Sequence, residues 1–255
     1  MENLLTEERR QKIHELLEQQ KRIIVKDIAK KFHTSEVTIR KDLEILEKQG
    51  LLNRVHGGAI RNHKLTPDLA LNEKQQIHVK EKLRIALKAV EMIREGDVII
   101  LDSGSTTTQL ARLLKKRESI TVITNAINIA SELAASRLNV ILTGGNLREK
   151  SFSLVGPLAE KSLNSLTAEK LFLGVDGIDF DYGLTTPNIM EANINSLMMQ
   201  VAAKTILVAD SSKFGRKSMG VIGKLSEVDT IITDDNISSE NLSKLKNMQI
   251  ELKLA

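Results

Sequence analysis

Cysteine is absent from all 255 residues, which excludes a disulfide framework and any thiolate metal site. No apolar run approaches the length of a membrane span. The first residues, Met1-Glu2-Asn3-Leu4-Leu5-Thr6-Glu7-Glu8, lack the basic-then-apolar order of a signal peptide. The expectation is a cytoplasmic protein with no membrane partner. The five histidines are scattered without metal-ligand spacing, so no metal is expected, and no cofactor. What is present suffices for a core: 41% of the residues are apolar, and the length fits one large or two ordinary domains.

The net charge is only +4, but residues 1–64 hold 14 Lys/Arg against 10 Asp/Glu and four of the five histidines. The excess sits wholly in the first quarter, since the remainder balances. A basic end on a neutral body points to a polyanion partner at that end.

Within that end, Thr6 can cap a helix whose first turn carries Glu7 and Glu8, with Ile13, Leu16 and Leu17 as its apolar face. Arg22-Ile23-Ile24 reads as a brief strand. Val25, Ile28, Ala29 and Phe32 recur at the spacing of a short amphipathic helix. After the tight connection His33-Thr34, Ser35 is a fit N-cap for a third helix running to about Gln49, with Gly50 as its C-cap. Ile39, Leu43 and Leu46 form the buried stripe of that helix; Thr34, Val37, Thr38, Arg40, Lys41 and Glu44 face the other way. Cations for phosphates and base edges, a hydroxyl, and a methyl surface for thymine are what a DNA-reading helix needs. Leu51 to Gly58 then reads as a small hairpin or wing carrying Arg54 and His56 on one face. A protein-binding three-helix module is the bland alternative.

The run Thr34-Ser35-Glu36-Val37-Thr38-Ile39-Arg40-Lys41-Asp42-Leu43, with Leu46-Glu47, Gly50 and Arg54-Val55-His56-Gly57-Gly58-Ala59, resembles the winged helix-turn-helix of the DeoR family of bacterial transcriptional regulators. The resemblance implies double-stranded operator DNA as partner, with Ser35, Val37, Thr38, Arg40 and Lys41 facing it and Arg54 and His56 supporting from the wing. The family commonly has arginine where Lys41 stands. Lysine keeps a phosphate contact but lacks the planar fork for bidentate guanine readout.

Residues 61–75 are polar, contain Pro67 and show no clean period; they read as a linker between a domain over 1–60 and a second over 76–255. A helix follows through Ile77, Leu83, Ile85, Ala86, Leu87, Ala89, Val90 and Ile93 to Glu95-Gly96. Then apolar runs (Val98–Leu101, Ile120–Ile123, Val140–Leu142, Leu171–Val175, Thr205–Ala209 and Thr230–Ile232) alternate with helical stretches at 108–116, 126–136, 190–203 and 238–247, before a possible last strand at Gln249–Leu254. This order predicts an α/β domain with a mostly parallel sheet, which binds ligands at the carboxyl ends of its strands.

Five strand-end turns are polar: Asp102-Ser103-Gly104-Ser105-Thr106-Thr107, Thr124-Asn125, Thr143-Gly144-Gly145-Asn146, Asp176-Gly177 and Asp210-Ser211-Ser212-Lys213-Phe214-Gly215. Together they predict a polar small-molecule site. Ser103, Gly104, Ser105, Thr106 and Thr107 would hold a phosphate at a helix start, the glycine letting the backbone approach. Lys213 would neutralise the phosphate or bind a sugar oxygen. Asp102, Asp176 and Glu191 are acceptors suited to sugar hydroxyls, and Asn125 and Gly145 are candidate walls. An acid as close to a phosphate as Asp102 would repel it, so Asp102 is expected to orient the loop or take a hydroxyl.

These turns, with Gly183-Leu184-Thr185-Thr186-Pro187-Asn188 and Glu191-Ala192, resemble the DeoR-type sensor domain, itself similar to ribose-5-phosphate isomerases. The resemblance implies a phosphorylated-sugar effector and a homo-oligomer, dimer or tetramer. Thr-Thr-Pro-Asn, Glu-Ala and Asn195 are most like regulators of amino-sugar use, particularly of N-acetylgalactosamine, although Asn195-Ser196 replaces the basic pair common in the family. The expected function is a repressor of a sugar-catabolism operon, released by a sugar phosphate, with no catalytic residues. A sugar-phosphate isomerase carrying a DNA-binding appendage is the alternative, and the basic first domain speaks against it. A protein-interaction scaffold would leave the five turns unexplained.

Overall fold

The protein, a computed structural model described over residues 6–20, 22–48, 51–61 and 65–255, forms two compact units, Met1–Lys64 and Leu65–Ala255. Gly50, expected as a helix C-cap, and residues 62–64 of the expected linker lie outside the described residues.

In the first unit α1 (Thr6–Gln20), β1 (Arg22–Ile24), α2 (Val25–Lys31) and α3 (Glu36–Lys48) are followed by β2 (Leu52–Val55) and β3 (Gly58–Arg61). Thr6 lies within α1 rather than before it. Ile13 and Leu17, Val25 and Ile28, and Ile39, Leu43 and Leu46 recur every three or four residues, so each helix turns one apolar face to a common core. The strands lie in the order β1-β3-β2, all antiparallel. Asp42 on α3 is buried and accepts from Arg9 Nε at 2.6 Å and Arg10 Nε at 3.0 Å, tying α1 to α3 by charge as well as by packing.

The second unit opens with α4 (Leu71–Gln76) and α5 (Val79–Val90), then β4 (Val98–Leu101), α6 (Ser105–Leu114), β5 (Thr121–Thr124), α7 (Ile127–Leu133) and β6 (Asn139–Leu142). Next come β7 (Asn146–Arg148), β8 (Ser153–Val155), α8 (Pro157–Leu163), β9 (Lys170–Leu173), β10 (Gly177–Asp179), β11 (Gly183–Thr186) and α9 (Ile189–Val201). The chain closes with β12 (Thr205–Val208), β13 (Gly220–Gly223), β14 (Thr230–Thr233), α10 (Ser239–Lys246) and β15 (Glu251–Leu254). Seven strands form one sheet in the order β15-β14-β12-β9-β4-β5-β6, and every neighbouring pair is parallel.

Strand side chains alternate between faces. Ile100, Leu171, Leu173, Leu207 and Ile231 meet residues of α8 and α9 in one cluster, while Ile99, Leu101, Phe172, Ile206 and Val208 meet α5, α6 and α7 in another. Both faces are covered, which is why these strands read as unbroken apolar runs.

Three features depart from the sequence expectation. The helix expected from Ile77 onward begins at Val79, and a separate helix, α4, forms at the end of the expected linker, the two parted at His78 by a left-handed φ of 51°. The buried Lys82 ammonium fills the break by donating to the carbonyls of Lys74 and, at 2.6 Å, Ile77. A hairpin, β7–β8, and a small antiparallel sheet, β10-β11-β13, sit where loops were expected.

Replacing Asp42 by alanine removes the buried carboxylate that Arg9 and Arg10 share, both of which keep some contact with solvent. The expected cost is about 2 kcal/mol, below that of breaking a fully buried pair. Thermal melting of the full chain by circular dichroism should show the first unit unfolding earlier; an unchanged melt would contradict this role.

Candidate functional site

The first unit offers one polar face. Ser35 caps α3, its Oγ accepting from the Thr38 amide at 3.1 Å and lying 2.8 Å from Thr38 Oγ1, so these two hydroxyls order each other. Val37, Arg40 and Lys41 project from the same helix and are exposed. Arg40 Nη2 lies 2.6 Å from Glu36 Oε2, and Arg54 Nε lies 2.7 Å from Glu47 Oε2. The Arg54 backbone amide first, then its guanidinium, hold the Glu47 carboxyl below its ordinary range. Exposed pairs of this kind contribute little, so either arginine can exchange its carboxylate for a phosphate. His56 is exposed in the β2–β3 turn.

The second unit offers a cleft at the carboxyl ends of β4, β9 and β12, which are neighbours in the sheet. Its lining includes Asp102, Ser103, Gly104, Ser105 and Thr106 after β4, Gly174 and Asp176 after β9, and Lys213 after β12. Lys74, Thr186, Glu191 and Asn195 close it.

α6 starts at Ser105 with Gly104 as N-cap; the Gly104 amide donates to Thr107 Oγ1 at 2.9 Å, and Gly104 has no side chain to cap the amides of the first turn. The unpaired first-turn amides of such an end, and the helix dipole behind them, favour an anion. Gly104 is required by crowding: a Cβ there would lie 2.9 Å from Thr107 Oγ1 and 3.1 Å from Asp102 Oδ1.

Charge in the cleft is arranged around Asp176, whose two oxygens take Lys74 Nζ at 2.7 and 2.8 Å and Thr186 Oγ1 at 3.2 Å. Lys213 Nζ stands 3.8 Å away. Burial works against ionisation of Asp176, but the charges of Lys74 and Lys213 outweigh it, and the carboxyl titrates below its ordinary range. Asp102 has no cation. Burial pushes its carboxyl up to about 7, opposed by the Thr107 hydroxyl and the Gly174 amide and reinforced by Glu191 and Asp176. The repulsion expected between Asp102 and a phosphate is therefore reduced near neutrality by a proton on the acid.

Glu191 accepts from Ser153 Oγ at 2.9 Å and lies 3.5 Å from Arg148 Nη1. Two buried acceptors in the cleft, Asp102 Oδ1 and Asn195 Oδ1, have no protein partner.

Three sequence candidates stand back from the cleft. Thr107 is fully buried; its Oγ1 lies 2.9 and 3.0 Å from the carbonyl oxygens of Asp102 and Gly104, which share its one proton, and accepts from the Gly104 amide at 2.9 Å. Asn125 is fully buried and donates to the Leu154 carbonyl at 3.1 Å. Gly145 has φ +117°, and a Cβ there would lie 2.7 Å from the Val155 carbonyl oxygen. The cause for the last two is the β7–β8 hairpin, which covers the ends of β5 and β6: Leu154 N donates to Asn125 O at 2.7 Å and Ile127 N to Phe152 O at 2.9 Å. Lys74 and Asn195 were not among the expected ligand residues. Asn195 carried a signal, because it falls one helical turn after Glu191 and shares its side of α9. Lys74 carried none.

Residues 9–65 match the family described as "DeoR-like helix-turn-helix domain", and residues 77–235 match "DeoR C terminal sensor domain". The chain belongs to the DeoR family of transcriptional regulators. It is 40% identical to the "Putative aga operon transcriptional repressor" of Escherichia coli O157:H7, over 97% of this chain and 93% of that one. It is 37% identical to "HTH-type transcriptional regulator GlpR" of Haloferax volcanii, over 96% of each, and 34% identical to the "Lactose phosphotransferase system repressor" of Lactococcus lactis, over 96% of this chain and 97% of that one. Among solved structures, a D-ribose-5-phosphate isomerase in complex with phospho-erythronic acid aligns over 53% of this chain and 54% of its own at 16% identity, with a TM-score of 0.41, too low to bear on function. Membership of the DeoR family makes the chain a DNA-binding transcriptional regulator, not an enzyme. Among the described residues no helix is long and apolar enough to cross a membrane.

The Asp102 carboxyl yields a pH prediction for this DeoR-family chain. Its folded-state pKa of about 7 lies above the ordinary 3.8, so between those values the folded chain holds a proton that the unfolded chain has released. Stability from this group is complete below that window and is lost as pH rises through it. Melting temperatures of Asp102→Asn should therefore fall less between pH 5 and pH 8 than those of the parent; equal slopes would refute the assignment.

Proposed function

We propose that this regulator represses an operon of sugar use and that a phosphorylated sugar entering the cleft releases it from its operator. The observation that carries this reading is the composition of the cleft. Lys74, Lys213 and the first-turn amides of α6 offer positive charge, while the buried Asn195 Oδ1 asks for a donor and Asp102 Oδ1, protonated or not, for a hydrogen-bond partner. A bare phosphate answers only the first demand; a phosphate carrying hydroxyls or an amine answers both. The names of the aga and lactose-system repressors that this chain resembles support a sugar operon as target, and Glu191-Ala192 with Asn195, most like regulators of amino-sugar use, favours an amino sugar.

On this reading Ser103, Gly104, Ser105, Thr106 and Lys213 hold the phosphate. Asp102, Asp176 and Glu191 read the sugar, and Thr107, Asn125 and Gly145 support the loops from behind. On the DNA side Arg40 reaches base or backbone, Lys41 a phosphate and Val37 a thymine methyl, with Ser35 and Thr38 ordering the helix start and Arg54 and His56 working from the wing. The protein acts as a homo-oligomer, dimer or tetramer. Exposed apolar side chains at Leu158, Ile189, Met190, Met219 and Val221 supply surface for such an assembly to cover. Release requires the ligand to favour the assembly state that binds DNA less well.

The double variant Ser105→Ala with Thr106→Ala should bind operator DNA as the parent does but no longer let go when sugar phosphate is added, in an electrophoretic mobility assay. Normal release in that variant would remove these two hydroxyls from the phosphate contacts. Arg40→Ala should weaken operator binding by about tenfold; unchanged affinity at moderate salt would take Arg40 out of the interface.

A further inference from the structure

The stretch just after the first unit ends at Lys64 is built into the second unit as a wall of its cleft. Thr66 N donates to the Lys217 carbonyl at 2.7 Å, and Leu71 N to the Lys150 carbonyl at 2.7 Å. The Asp68 carboxylate is held by Arg148, and by Lys150 at 3.3 Å. Leu69, Leu71 and Lys74 face the cleft. At the far end of α4, buried Lys82 holds the carbonyls of Lys74 and Ile77. Within the cleft the segment is attached by the pair Lys74–Asp176.

We infer that Lys74 is a ligand-contacting residue and that the sugar phosphate acts on the segment 65–76 by drawing Lys74 away from Asp176. The inference rests on the phosphorylated-sugar reading above and adds to it the route by which occupancy reaches the chain entering from the first unit. A phosphate dianion seated at the start of α6 shares the cleft with the Lys74 ammonium and offers it more negative charge than one carboxylate does. Asp176 is not abandoned in the exchange, because the Thr186 hydroxyl stays bonded to it and the sugar hydroxyls it reads take the place of Lys74. Lys74 is carried on a helix of six residues whose seat on the cleft the Lys74–Asp176 pair helps to hold, so loss of the pair loosens that helix. The hydrogen bonds of Thr66, Asp68 and Leu71 are then the contacts that shift or break.

The test uses the intact protein, a panel of hexose and hexosamine phosphates, and inorganic phosphate as control. In the parent, the best-binding sugar phosphate should change amide hydrogen exchange across residues 65–76. Lys74→Gln should lower affinity for that compound by about tenfold, with Lys74→Arg, which keeps a cation beside Asp176, recovering most of it; circular dichroism confirms that each variant is folded at the temperature of the titration. Unchanged exchange over 65–76 on binding to the parent, or undiminished affinity in Lys74→Gln, overturns the inference while leaving the sugar-phosphate reading in place. If no member of the panel binds the parent, that reading fails and takes the inference with it.

Discussion

A carboxylate with little access to water must be met by positive charge, or it takes up a proton instead. Asp176 and Asp102 stand in the same cleft and take these two courses. Asp176 has Lys74 and Lys213 and stays ionised; Asp102 has neither, and its carboxyl is pushed up to about 7. Much of the second unit's entry follows from the first case. To bring Lys74 to Asp176, the chain after Lys64 has to fold back along the carboxyl ends of the strands. It makes α4 on the way and leaves a break at His78 that Lys82 fills.

The parallel sheet supplies the second constraint. Only parallel strands present their carboxyl ends along one edge, and only the central ones are flanked closely enough for their following loops to converge. Here β12, β9 and β4 are neighbours, so the loops beginning at Asp210, Gly174 and Asp102 meet. The ends of β5 and β6 are part of the same edge, but the β7–β8 hairpin lies over them and fills the space a ligand would need.

The sequence was legible where the physics is local. Strands buried on both faces are written as apolar runs, and α3 as a stripe of Ile39, Leu43 and Leu46 with a serine in front. The turns rich in Ser, Thr and Gly follow those strands directly, which is why the loop at 102–107 could be read as an anion site. What was missed depends on contacts between distant residues. The β10-β11-β13 sheet is too short and too rich in glycine to show a period, and its glycines answer to crowding: a Cβ on Gly177 would lie 2.4 Å from the Arg216 carbonyl oxygen, and one on Gly183 2.2 Å from that of Gly223. Lys74 sits in a polar stretch beside Pro67 and was read as linker, because its partner is 102 residues further along. Asn125 and Gly145 follow strands like the others; nothing in their own neighbourhood announces the hairpin that covers them.

The central claim is that the cleft takes a sugar through its phosphate and reads its remaining groups through buried acceptors. Isothermal titration of the intact protein with matched pairs, each sugar with and without its phosphate, tests both halves at once. Binding should be confined to phosphorylated members and should differ among sugars that carry the same phosphate. Equal affinity for the free sugars, or equal affinity for every phosphorylated compound including inorganic phosphate, would contradict the account.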